Sequence, residues 1–189
     1  MVEGLLGMAT LMLLAALTIE FAHWQTTRHL AAIALMEAAR AGSVDHARPQ
    51  SMERAFLKAM RARFAHGAAS ETAMRRRFEH IRTRTGLQAW EIEQLAPDRQ
   101  AFAHATRYTR HDIAHARGKL VLRHDLASRP ALTLHLRLTY RQPALFPMVA
   151  QLAATLVSSH SSSGKAWAAG LIVIQLEQKI EMQSDAVLW

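Results

Sequence analysis

From Gly4 to Ile19 the chain reads GLLGMATLMLLAALTI, uncharged throughout and apolar on every side, with no polar face recurring every 3.6 residues. Two carboxylates, Glu3 and Glu20, bracket this run. Sixteen residues at a helical rise of ~1.5 Å span about 24 Å, short of a hydrocarbon core of about 30 Å. Phe21, Ala22 and Trp24 extend the span, and Trp24 suits a membrane interface. The pattern then changes without a break: from Glu20 no Pro or Gly occurs until Gly42, and Leu30, Ile33, Ala34, Glu37, Ala38 and Ala41 keep helical spacing. One helix is therefore expected from about Val2 to Ala41, capped by Gly42 and followed by a turn in SVDHARPQ. A cleaved secretory signal and a central helix buried in a soluble fold are the competing readings of its first half. No Lys or Arg precedes the run in this sequence, and no clear small-residue cleavage site follows it.

Further on, the spacing predicts two amphipathic helices. Ser51 is the expected N-cap of MERAFLKAMRARF, with Phe56, Leu57, Met60 and Phe64 on one stripe and Arg54, Lys58, Arg61 and Arg63 largely off it. Gly67 breaks that helix. Ser70 opens ETAMRRRFEHIRTRT, which turns Met74, Phe78 and Ile81 inward and ends at Gly86.

The period then drops from 3.6 to 2. AWEIEQL sets Trp90 and Ile92 against Glu91 and Glu93, and LTLHLRLTYRQ sets Leu132, Leu134, Leu136, Leu138 and Tyr140 against Thr133, His135, Arg137, Thr139 and Arg141. LIVIQLEQKIEMQ repeats the pattern, with Ile172, Ile174, Leu176, Ile180 and Met182 opposite Gln175, Glu177, Lys179 and Glu181. Three alternating strands with one wet face predict an antiparallel sheet covered on its dry face by the helices. The fold class expected is α+β: a long N-terminal helix, membrane-spanning in its first half, and amphipathic helices on a small antiparallel sheet. The domain division expected is a transmembrane and stalk helix over 1–42 and an α+β domain over 43–189. Residues 95–125 have no sustained period and read mostly as loop, with one short strand near Lys119 to Leu122. ALFPMVAQLAATLV is too short for a second span and reads as a packed helix or hairpin arm.

Charge sharpens this division. The net +8 is concentrated in residues 51–142, which sum to +10, while the segments on either side sum to −1 each. With no cysteine there is neither a disulfide framework nor a thiolate metal site. His111 and His115 in HDIAH have the i, i+4 spacing of a metal-binding helix, but helical periodicity is weak there and no matching acidic cluster lies near. No glycine-flanked nucleophile elbow and no phosphate-cradling glycine loop occurs, so neither an enzyme nor a cofactor is expected. Arg75, Arg76 and Arg77, with Arg82 and Arg84, form the densest basic run; it reads as a solvated helix face or a contact for anions, nucleic acid or anionic lipid. A membrane-anchored nucleic-acid-binding module using this helix is the alternative functional reading. Since Arg28 and Arg40 follow the apolar run and no cation precedes it here, the positive-inside rule taken literally puts the domain in the cytoplasm; a basic leader upstream would reverse that.

The opening, Glu3, the run to Ile19, Glu20-Phe21 and then EAARAG at 37–42, resembles the TadE-like family, minor pilins or pseudopilins of the tight-adherence (Flp, type IVb) pilus system. LTLHLRLTYRQPALFP and the closing EMQSD look like the β-region and C-terminal end of proteobacterial members. The sequence departs from that pattern at Gly4, where the family has Phe after the first acid. The resemblance implies a single-pass inner-membrane protein with a periplasmic domain, acting in pilus assembly and entering a filament or priming one. Its implied partners are the major pilin, other minor pilins, the inner-membrane assembly platform and the lipid bilayer; nucleic acid is not among them. Glu3 would occupy the place of the pilin acid that pairs with a neighbouring subunit's N-terminal amine, consistent with the cost of a carboxylate at the edge of a bilayer unless a cation meets it. Glu20, Phe21 and Trp24 would mark where the helix leaves the membrane.

Overall fold

The computed structural model describes residues 2–64, 70–98, 102, 121–122, 132–156 and 162–189. The first element is one unbroken helix, α1 (Val2–Val44), of 43 residues, about 65 Å long at the helical rise. Its apolar run is largely exposed: Leu11 is 69% and Met12 66% exposed. The apolar run is therefore not the buried centre of a soluble fold, and α1 is long and apolar enough to cross a membrane. From Glu20 onward one face turns inward, and Thr27, Ala31, Ala34, Leu35, Ala38 and Ala39 are buried. Small side chains on that face let neighbouring elements approach the helix axis closely.

Two more helices follow, α2 (Pro49–Phe64) and α3 (Ser70–Thr85). Strand β1 (Trp90–Ala96) comes next, then the two-residue β2 (Val121–Leu122) and the long β3 (Thr133–Pro143). Helices α4 (Pro147–Leu156) and α5 (Ser162–Ala168) lead into β4 (Leu171–Glu181) and the short β5 (Ala186–Val187). The main sheet has the order β1-β3-β4, antiparallel throughout, and β2 pairs with β5 separately. The expected α+β class is thus the observed one. The three long predicted strands form; of the strand expected near Lys119 to Leu122 the described part, Val121–Leu122, is β2, and most of 95–125 lies outside the described residues. The alternation of β3 is carried into three dimensions: Leu134, Leu136, Leu138 and Tyr140 are buried while the residues between them are half exposed. The segment before β4 forms helices, with Pro147 at the first position of α4, where its missing N–H costs nothing.

The core lies between the dry face of the sheet and α1 with α2. Phe56, Met60 and Met74 from the helices meet Leu134, Leu136, Leu138 and Ile174 from the sheet. Aromatic rings close its edge: Phe56 lies 5.0 Å from Trp90, Phe64 meets Phe78 edge-on at 5.7 Å, and Phe78 meets Tyr140 at 6.4 Å.

Helix ends explain two departures from expectation. Gly42 does not end α1. It lies within the helix where α2 and the sheet approach most closely, and a Cβ there would fall 2.7 Å from Met52 Sδ and 2.9 Å from Leu134 Cδ2. The helix ends two residues later, at Val44; His46 then takes a left-handed φ of 55° and Ala47 N–H bonds Gly42 O at 2.8 Å, the six-to-one bond of a Schellman ending. A non-glycine residue is held there because the C-terminal tail fastens the turn. Gln183 and Ser184 N–H donate to Ser43 O at 3.0 and 3.1 Å, His46 N–H donates to Ser184 Oγ at 3.0 Å, and Trp189 Nε1 donates to His46 O at 2.9 Å. Ser51 does not cap α2 either. The helix starts at Pro49, with Arg48 O accepting the first N–H bonds from Ser51 and Met52, and Ser51 Oγ instead bonds the Asp45 carboxylate. Gly86 does terminate α3 as expected, with φ of 69° and its N–H on Arg82 O.

Gly42→Ala is expected to lower stability by about 1–3 kcal/mol through overpacking, although Ala is the better helix former by about 1 kcal/mol. The denaturation midpoint of the full chain in detergent measures this; an unchanged or raised midpoint would mean that Met52 and Leu134 move aside at no cost.

Candidate functional site

The face that α1 turns inward begins with polar groups. Glu20, His23 and Thr27 recur at helical spacing, so the stripe that becomes alanine-rich further along starts as a polar row just beyond the apolar run. Opposite stand Arg63, in the last turn of α2, and Gln142 near the end of β3. The Arg63 guanidinium donates to Thr27 Oγ1 and to Gln142 Oε1 (3.1 Å) and lies 3.3 Å from His23 Nε2. Thr27 Oγ1 donates in turn to its own helix, at His23 O. No carboxylate pairs with Arg63 among the described residues; neutral oxygens and the C-terminal end of the α2 dipole serve instead. Burial pushes the Arg63 guanidinium down from its ordinary pKa and the nearby Tyr140 hydroxyl up.

Glu20 is only 3% exposed. Its Oε2 accepts the Phe146 N–H at 3.0 Å, at the threshold of α4. A carboxylate there complements the positive N-terminal end of that helix. Oε1 of Glu20 and Nε2 of Gln142 have no hydrogen-bond partner among the described residues, so the cluster is buried but not saturated. Glu20 was expected to mark the exit of the helix from the membrane; its placement adds a tether to a segment far away in sequence. Phe21 points outward at 58% exposure, 5.7 Å from the ring of Trp24. Trp24 is half-buried, with the Arg28 guanidinium 5.4 Å above its ring. Glu3 is exposed in the first turn of α1, on the favourable end of its dipole.

Arg63, expected largely off the buried stripe of α2, is instead partly buried and turned toward Thr27 and Gln142. Arg63 is seven residues beyond Phe56 and three beyond Met60, so helical spacing puts it on the inner face. The signal was in the sequence but was masked by three exposed cations nearby.

Arg75, Arg76 and Arg77 are all exposed, but they do not form one patch. Arg75 pairs with Glu71 at 2.8 Å, and Arg61 reaches the same carboxylate at 2.5 Å. With Arg82, Arg54 and Lys58, Arg75 borders a groove between α2 and α3 floored by Phe78 and Trp90. Arg77 and Arg84, one heptad apart, border a different cleft of about 360 Å³ against Pro147, Trp167 and Gly170. The wet face of the sheet is laced by charge instead: Arg137 on β3 bridges Glu93 on β1 (3.6 Å) and Glu177 on β4 (2.9 Å), and His135 Nε2 meets Glu177 at 3.0 Å. Hydrogen bonds from Arg137 and then His135 hold the Glu177 carboxyl below the usual glutamate range.

His111 and His115 lie outside the described residues. Among the described residues no group of three or more His, Asp or Glu side chains is placed to hold a metal ion. The polar cluster at Glu20 is thus best understood as an electrostatic joint between helix, domain and α4. Comparison with protein-family models, curated proteins and solved structures finds no match to this chain.

Glu20→Ala removes the acceptor of the Phe146 N–H. Amide hydrogen exchange at the start of α4 should quicken by on the order of tenfold or more, while exchange in β3 stays as it was; equal exchange in both variants would remove the tether. A depressed folded-state pKa means that Glu177 stabilises above the ordinary glutamate value of about 4.3 and loses that effect as pH falls through its lower folded value. Thermal melts should therefore place Glu177→Gln slightly below the parent at pH 7, with the gap closing in acid. A gap that widens in acid would reverse the assignment.

Proposed function

We propose that this chain is a single-span minor pilin or pseudopilin of the TadE-like kind, acting in assembly of a tight-adherence (Flp, type IVb) pilus. The observation that supports this reading is the continuity of α1: sixteen residues apolar on all sides pass, without a break, into a helix whose second half is built into the core of an α+β domain. Such an element can pack against copies of itself or related helices at one end while it holds a rigid domain at the other. The domain is periplasmic in this reading, and the working partners are other pilus subunits and the inner-membrane platform. Chemistry on a substrate has no place in it.

Glu3 is the residue on which subunit pairing rests. It sits in the first turn, ahead of the apolar run, where a carboxylate entering an assembly of helices needs a cation to meet it. The sheet's charged outer face, from Glu93 through Arg137 to Glu177, offers the domain a polar partner surface. The nucleic-acid alternative has less behind it, because Arg75 is already engaged by Glu71 and because Arg77 and Arg84 face a separate cleft.

Glu3→Ala should leave the domain folded, with an unchanged near-ultraviolet dichroism spectrum, and reduce piliation by on the order of tenfold or more, the loss expected when one partner of a desolvated ion pair is removed. Filament counts by electron microscopy check this, and normal piliation with Glu3→Ala would refute the assigned role.

A further inference from the structure

α1 is not the only part of the chain at the level where its apolar run ends. The hydrogen bond from Phe146 N–H to Glu20 Oε2 holds the start of α4 beside the residue that follows Ile19. Met148 is two residues further, within about 7 Å of Phe146 along any path of the chain. The polar headgroup layer is of similar depth, about 5–8 Å on each side of the hydrocarbon. At this level the surface is apolar: Met148 is 71%, Phe21 58% and Leu145 48% exposed. In sequence, no Asp, Glu, Lys or Arg occurs between Arg141 and Lys165, the longest such stretch in the chain. Solvent is a poor partner for such a turn, and the described residues of the domain do not cover it.

Directly behind this turn is the cleft bordered by Arg77, His80 and Arg84. Pro147, the first residue of α4, belongs to its wall, as does Trp167. Among the described residues bordering it none is acidic, so exposed apolar side chains and guanidinium groups with no described carboxylate at the cleft occur on one surface. That combination matches the boundary of a lipid layer, with acyl chains meeting Leu145 and Met148 and phosphates meeting the two arginines.

We propose that the domain does not stand clear of the bilayer but rests on it, with the Leu145–Met148 turn in the interfacial layer and the Arg77–Arg84 cleft on anionic phospholipid headgroups. Glu20 sets the angle of this contact by fixing α4 to the helix at the depth where the apolar run stops. The inference rests on the reading of α1 as a membrane span.

The chain has no cysteine, so single labelling sites are available in the full-length protein. An environment-sensitive fluorophore is placed on Met148→Cys, on Glu53→Cys at the far end of α2 and on Leu11→Cys in the apolar run. Each protein is reconstituted in vesicles of phosphatidylcholine alone or with one third phosphatidylglycerol, containing lipid spin-labelled near the headgroup. Strong quenching is expected at Leu11→Cys and at Met148→Cys, with none at Glu53→Cys. Quenching at Met148→Cys should be greater in the anionic vesicles, and Arg77→Ala and Arg84→Ala should each lower the ratio of docked to undocked domain about fivefold there without changing the signal at Leu11→Cys. Quenching at Leu11→Cys with none at Met148→Cys would overturn the docking while leaving the span in place, whereas no quenching at Leu11→Cys would overturn both. Equal signals in neutral and anionic vesicles would remove the headgroup role of the two arginines.

Discussion

One helix has to satisfy two surroundings in succession, and the rest of the structure depends on how it changes from one to the other. Along its first half α1 must offer the same apolar chemistry in every direction; along its second it must present a narrow, small-residue face to a sheet and a neighbouring helix. Since the backbone is continuous, the change can be made only by side chains. It happens within about two turns, from Glu20 to Thr27, where a row of polar groups takes the place of both lipid-like and core-like residues. Arg63 answers that row from α2, Gln142 answers from β3, and the start of α4 comes to Glu20. Three separate parts of the domain thus meet the helix at its point of change. These contacts help to fix the domain relative to the apolar run, together with the packing of Ala31 to Ala39 further along the helix.

The cluster is economical in charge. Arg63 is surrounded by neutral oxygens, a ring nitrogen and a helix C-terminus rather than by a carboxylate, while Glu20 is placed against a backbone N–H at a helix N-terminus. Each ion is matched to a dipole. A direct pair between them would bring two desolvation penalties together for an uncertain return; here each is partly met by groups that are already fixed by secondary structure. Among the described residues Glu20 Oε1 and Gln142 Nε2 have no hydrogen-bond partner, so the groups described leave some of their hydrogen-bonding capacity unused.

Much of the fold was legible in the sequence because it is periodic. The alternation in β3 and β4 specified both the strands and their dry face, since a slip of one residue would have turned Leu134 to Leu138 toward water. The exposed first half of α1 followed from a run with no polar side, and the amphipathic helices from their spacing. What stayed hidden depends on partners distant in sequence. Gly42 was read as a stop because glycine usually is one, yet its role is the close approach of Met52 and Leu134; the real stop uses His46, which only the tail at Ser184 and Trp189 can hold in place. Arg63 could have been assigned to the inner face from Phe56 and Met60, but its partners could not. The contact between Glu20 and Phe146 joins positions 126 apart, and no local pattern encodes such a pairing. The run of arginines at 75–77 looked like one feature because it is contiguous in sequence; successive residues on a helix point about 100° apart, so it became two.

The latch at the end of α1 also bears on the order of events during synthesis. Ser43 and His46 emerge from the ribosome early, but groups that complete their turn, Ser184 and Trp189, lie 138 and 143 residues beyond His46. The apolar run is ready for its surroundings as soon as it emerges, and α2 can cover part of the adjoining face soon after. The far end of the same helix stays unfinished until that distant segment has been made. The two halves of one helix therefore become ready at widely separated stages of the chain's synthesis.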